Sequence, residues 1–182
     1  MIELLVVLAI TALLSSSVII YGSLTRENIA IETDESQVVQ LLLRAKSLSV
    51  GTYNNQTSPI CAYGVLVEVN SPNYYLVSYP KDAGGNCPDT GNYFSVPDLE
   101  TAYKLSAGFV FDNCLDSACP DKLDYVLFVP PDPQVLVSNY GSEGLPPSNG
   151  SGNIYLTTAE EAPAYRAKIS VAWGGQISFS GY

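Results

Sequence analysis

Histidine is missing from the 182-residue chain, which removes the residue most used as general base, metal ligand and pH switch. Positive charge is also scarce, with 8 Lys and Arg against 18 Asp and Glu, a net charge of −10. Such a chain repels phosphate backbones, so nucleic acid is a poor partner. Charged residues are nevertheless only 14% of the chain and hydrophobic ones 47%, which excludes a disordered acidic polymer. No proline precedes Pro59, no cysteine precedes Cys61, and one glycine, Gly22, precedes Gly51. A stretch of 50 residues with a single helix breaker reads as one helix. At ~1.5 Å rise per residue it is about 75 Å long. The remainder, dense in turn residues, Tyr and Val, reads as an all-β head.

The helix divides by character. Residues 4–20, LLVVLAITALLSSSVII, carry no charge. They cover about 25 Å, near the lower limit for crossing a hydrocarbon core of ~30 Å, so the run can insert in a membrane. A cleaved secretory signal would show a basic n-region and an early small-residue cleavage site, and neither is present. Past Tyr21, the charged residues Arg26, Glu27, Glu32, Asp34 and Glu35 mark the exit from an apolar environment. Leu24, Ile31, Val38, Leu41, Leu42, Ala45 and Leu48 then recur at three- and four-residue steps, an apolar stripe suited to lying on a sheet. Gly51 and the polar residues after it suit a helix stop. The expected fold class is α+β: a long N-terminal α-helix, apolar in its first half and amphipathic in its second, packed on an antiparallel β-sheet-rich head. The expected divisions are residues 1–23, 24–52 and 53–182.

Glu3 stands at the front of the apolar run. A carboxylate there costs on the order of 2–3 kcal/mol in a membrane. It either sits at the interface or forms an intermolecular ion pair with a neighbouring subunit's α-amino group. Gly22 and Ser15-Ser16-Ser17 are weak points where the helix could stretch or melt, the plain alternative being a glycine tolerated in an intact helix.

The segment Met1-Ile2-Glu3-Leu4-Leu5-Val6-Val7-Leu8-Ala9-Ile10 resembles the N-terminus of type IV pilins and of the pseudopilins of type II secretion. The resemblance covers about the first 25 residues closely. It implies a prepilin peptidase substrate with an N-methylated terminus, and a filament subunit whose assembly residues are Glu3, Leu4, Leu5, Val6, Val7 and Leu8. The partners implied are other pilin subunits and an assembly platform. The protein would occupy the cytoplasmic membrane through a single span before joining an extracellular or periplasmic filament. In the family a basic leader and a cleavage-site glycine precede this motif; the sequence starts inside it, as a shortened chain would. Pilus and pseudopilus are both open, as is a non-polymerising, membrane-anchored adhesin or binding module.

In the head, residues 61–69, 73–79, 102–111, 124–129, 134–137, 153–158, 166–173 and 176–179 read as strands separated by Pro, Gly, Asn and Asp. Lys168 to Trp173 alternates polar and apolar, Gly174-Gly175 turns, and Gln176 to Phe179 alternates back, a hairpin signal. Ala62-Tyr63-Gly64-Val65, Phe128-Val129-Pro130-Pro131-Asp132 and the closing hairpin are similar to the GspH/FimT-like branch, which implies two antiparallel sheets packed on the helix.

Four cysteines, Cys61, Cys87, Cys114 and Cys119, allow three pairings. An exported head favours disulfides over a zinc site, since Cys61 and Cys87 have no close partner of zinc-ligand spacing. Cys114 and Cys119 suit a small local loop, leaving Cys61 with Cys87. Acidic loops around Asp82 to Asn92 and Asp112 to Asp124 offer oxygen ligands for calcium but lack EF-hand spacing, and turn chemistry explains them as well. No metal or cofactor is expected. Catalysis has no support: no serine has a histidine partner, and no glycine-rich phosphate loop is present. Arg166 and Lys168 are too few to draw DNA to a head with five bases and thirteen acids after Tyr53.

Overall fold

Apolar residues at helical spacing along 31–48 need a surface to cover them, and the strands that follow supply it. The computed structural model describes residues 2–54, 58–81, 85, 87, 98–111, 123–130, 134–139, 148–158 and 167–181; within the helix, side-chain surroundings are described at 3, 6–16, 26 and 28–53. Helix α1 is assigned over Ile2–Asn54. Ile31, Val38, Leu41, Leu42 and Ala45 are buried and Leu48 is half-buried against the same core. The helix runs past Gly51 by three residues, to Asn54.

Ten strands are described: β1 (Ile60–Val67), β2 (Asn73–Pro80), β3 (Asp98–Lys104), β4 (Phe109–Phe111), β5 (Leu123–Val129), β6 (Gln134–Asn139), β7 (Ser148–Asn149), β8 (Gly152–Thr158), β9 (Ala167–Val171) and β10 (Ile177–Gly181). They form a six-stranded sheet in the order β3-β2-β1-β5-β6-β7 and a four-stranded sheet in the order β10-β9-β8-β4. Every strand pair in both sheets is antiparallel. The near-continuous apolar sequence of β1 follows from burial on both faces. Tyr63, Val65 and Val67 join the core shared with the helix, whereas Ala62 and Leu66 join a second cluster with Val77, Tyr79, Tyr125, Leu127 and Leu136. Between them Gly64 faces Leu127 of β5, and a Cβ at Gly64 would stand 2.5 Å from the Val126 carbonyl oxygen. Only glycine lets β1 and β5 approach this closely.

The expected arrangement of a long N-terminal helix packed on a sheet-rich head is corrected. The helical segment belonging to the folded body is 26 residues, 28–53, and the body is mostly antiparallel sheet. The reason lies in side-chain placement: at 3, 6–16, 26, 28 and 29 every described side chain is exposed, and burial begins only at Ala30 and Ile31. The membrane-spanning expectation, and with it the single-pass cytoplasmic-membrane localisation, is corrected too. Among the described residues no helix is long and apolar enough to cross a membrane.

Two strand expectations change as well. Residues 102–111, read as one strand, are β3 on the edge of one sheet and β4 on the edge of the other. The closing hairpin turns through three residues, Trp173, Gly174 and Gly175, with Gly175 N donating to Ala172 O and Ala172 N to Gln176 O. Gly175 takes φ 70°, the left-handed position that three-residue hairpin loops require.

Polar contacts tie the helix to both sheets. Asp34 accepts from the backbone N and the hydroxyl of Ser106, each at 2.9 Å, in the β3–β4 connection. Lys46 Nζ donates to Gly175 O at 2.8 Å, and the Ser49 hydroxyl donates to Phe128 O in β5. The β1–β2 turn joins the sheets, with Asn70 N donating to Phe111 O at 2.9 Å and Phe111 N to Ser71 O at 3.1 Å.

Candidate functional site

The first four turns of α1 present apolar side chains that none of the described residues covers. Val6, Val7, Leu8, Ile10, Leu13 and Leu14 are 52–71% exposed. At ~100° per residue, Val6, Val7, Ile10, Leu13 and Leu14 fall within an arc of roughly 120°, a stripe of the width a core-facing helix uses. The other side carries Thr11 and Ser15, whose hydroxyls bond back to the helix: Thr11 Oγ1 donates to Val7 O and Leu8 O at 3.0 Å, and Ser15 Oγ to Thr11 O at 2.8 Å. Ser16 Oγ donates to Leu13 O at 2.8 Å. These hydroxyls already have partners, so they can enter an apolar interface at small cost.

Glu3 lies exposed in the first turn of the helix, where a carboxylate faces the positive end of the helix dipole. Val6, Val7 and Leu8 share its end of the rod; the side chains of Leu4 and Leu5 and the surroundings of Gly22 lie outside the described residues. Cys61 and Cys87 form a disulfide, whereas Cys114 and Cys119 lie outside the described residues, as do Arg166 and most of both acidic loops. Among the described residues no group of three or more His, Cys, Asp or Glu could hold a metal.

A second feature escaped the sequence. Gln37, Gln40, Leu41 and Arg44 of α1, Tyr74 of β2 and Tyr103 of β3 line a cleft of about 280 Å³. The Tyr103 ring stacks on Tyr74 with centroids 5.4 Å apart, and Phe111 meets Tyr74 edge-on at 5.5 Å. Arg44 Nη1 donates to the Tyr103 hydroxyl at 3.3 Å. Tyr74 is fully buried, and its hydroxyl has no hydrogen-bond partner among the described residues. Burial pushes this hydroxyl up to about 12, with the Asp34 carboxylate and Tyr103 adding to the effect. The helix signal was there, since Gln37, Gln40 and Arg44 recur at three- and four-residue steps, but that spacing equally describes a solvated face.

Asp34 and Glu35 are also placed differently from the reading of the sequence. They mark no exit into water, being 1% and 4% exposed. Burial, and then the neighbouring Glu32, raises the Glu35 carboxyl above its ordinary value. Comparison with known proteins gives no match, whether to a family model, a curated protein or a solved structure.

Proposed function

We propose that this chain is a structural subunit that polymerises into a type IV pilus-like filament through the apolar start of α1, its two-sheet body facing outward. The observation that carries the reading is the uncovered stripe of Val6, Val7, Ile10, Leu13 and Leu14. Covering six large apolar side chains, Leu8 included, against neighbouring rods is worth on the order of 5–10 kcal/mol before the entropy of association. The resemblance of residues 1–10 to pilins supplies the rest: Glu3 pairs with the α-amino group of an adjacent subunit and sets the axial register, and a prepilin peptidase and an assembly platform act on the chain. The role is structural and not enzymatic, in keeping with a sequence that has no histidine.

Glu3→Ala tests this directly. Removing one exposed carboxylate leaves the body folded, so far-UV circular dichroism stays unchanged, while filaments sheared from cells and counted by electron microscopy fall at least tenfold. A normal yield of filaments from the variant overturns the reading. Fibres reaching the medium identify a pilus, whereas short fibres retained in the periplasm identify a pseudopilus of type II secretion.

A further inference from the structure

We propose that the cleft between α1 and the β2–β3 edge is a binding site for a small monocarboxylate carried on a ring. The proposal stands on the folded body alone and does not depend on filament assembly. Arg44 supplies the recognition. Its guanidinium offers five N–H donors in a rigid fork suited to a carboxylate. Among the described residues it makes one hydrogen bond, to the Tyr103 hydroxyl, and no ion pair. Arg44 is exposed, and it is the one charged side chain among the described residues that line the cleft.

The walls define the body of the ligand. Tyr103, held in place by its stack on Tyr74, presents an aromatic ring, and the buried Leu41 adds apolar surface beside it. Gln37 and Gln40 bring amide donors and acceptors along the same helix face. Tyr74, fully buried, backs the Tyr103 ring in the lining of the cleft. A volume of about 280 Å³ lies just under the ~300–1,000 Å³ of drug-sized ligand clefts, enough for one ring and its carboxylate and too small for an oligomer. Asp34, whose carboxylate acts on the Tyr74 hydroxyl, is buried and bonded through both oxygens to Ser106, whereas exposed acids more than a Debye length of ~8 Å away are screened at physiological ionic strength, leaving the Arg44 guanidinium as the charge at the mouth of the cleft.

The test uses the full chain in mild detergent and saturation-transfer NMR, with benzoate and glucuronate as the two sources of a ring-borne carboxylate, and benzyl alcohol and glucose as their neutral counterparts. At millimolar concentration at least one acid receives saturation from the protein, and its neutral counterpart does so at least tenfold more weakly. Benzoate alone identifies an aromatic acid as the ligand class, and glucuronate alone a sugar acid. Arg44→Gln weakens binding about tenfold, and Arg44→Lys, which keeps the charge but loses the fork, weakens it as well. Tyr103→Ala, which removes the stacking surface, also weakens it. Arg44 is exposed, so its variants retain the wild-type circular dichroism spectrum. Absence of binding by both acids, equal binding of the neutral compounds, or unchanged binding by Arg44→Gln overturns the proposal.

Discussion

Glu35 shows what a single residue costs a fold when its charge is enclosed. Its Oε1 has no hydrogen-bond partner among the described residues, and burial raises its carboxyl above the ordinary 4.5. The folded state therefore holds the proton more tightly than the unfolded chain does, so ionisation of Glu35 removes stability as pH rises from 4.5 through the higher folded value. Below 4.5 the carboxyl is protonated in both states and the penalty is absent. Glu35→Gln should accordingly melt roughly 2–4 °C above the wild type at neutral pH, with the gap closing near pH 4, as differential scanning calorimetry at the two pH values would show. Asp34, its neighbour, is equally enclosed but spends both oxygens on Ser106. Sequence alone distinguishes neither from an exposed helix acid, and the partner that holds Asp34, Ser106 in the β3–β4 connection, lies 72 residues onward.

At the scale of elements, most strands were legible, though not β7 at Ser148–Asn149 or the start of β3 at Asp98, and the assignment of residues 102–111 to sheets was not. The alternation of Lys168 to Trp173 and its return after Gly175 shows as β9 and β10 in the register Ile177 to Val171. Residues 102–111 read as continuous because nothing local breaks them strongly, yet the Ser106 amide turns to the Asp34 carboxylate and Leu105 N donates to Pro72 O at 2.9 Å. The chain leaves one sheet there and enters the other. The disulfide is likewise an element-scale device, tying Cys61 in β1 to Cys87 across a separation of 26 residues. In the Cys61→Ala/Cys87→Ala double variant the urea midpoint should fall by the equivalent of about 2–4 kcal/mol, as expected from releasing a loop of that length in the unfolded chain.

For the whole molecule, the decisive feature is one core shared by the helix and both sheets. Val38, Leu41 and Leu42 pack in the same cluster as Val65 and Phe128 of the six-stranded sheet and Leu156 and Ile169 of the four-stranded one. Among the described residues both sheets share this one cluster on the helix side, so unfolding is expected to be a single cooperative transition. Leu42→Ala should lower stability by about 2–5 kcal/mol and shift the far-UV and near-UV dichroism melts together; two separated transitions would show independent sheets. The sequence by itself determined the apolar stripe of residues 31–48, the hairpin and most strand positions, because those follow from spacing along the chain and local turn chemistry. It also marked residues 4–20 as unusually apolar. Only the tertiary structure decided how far the helix packs, which acids are enclosed, where residues 102–111 change sheets, and that Arg44, Tyr74 and Tyr103 meet in one cleft. Each of those depends on contacts between segments distant in sequence, and side-chain periodicity carries no record of which distant segment comes to lie alongside.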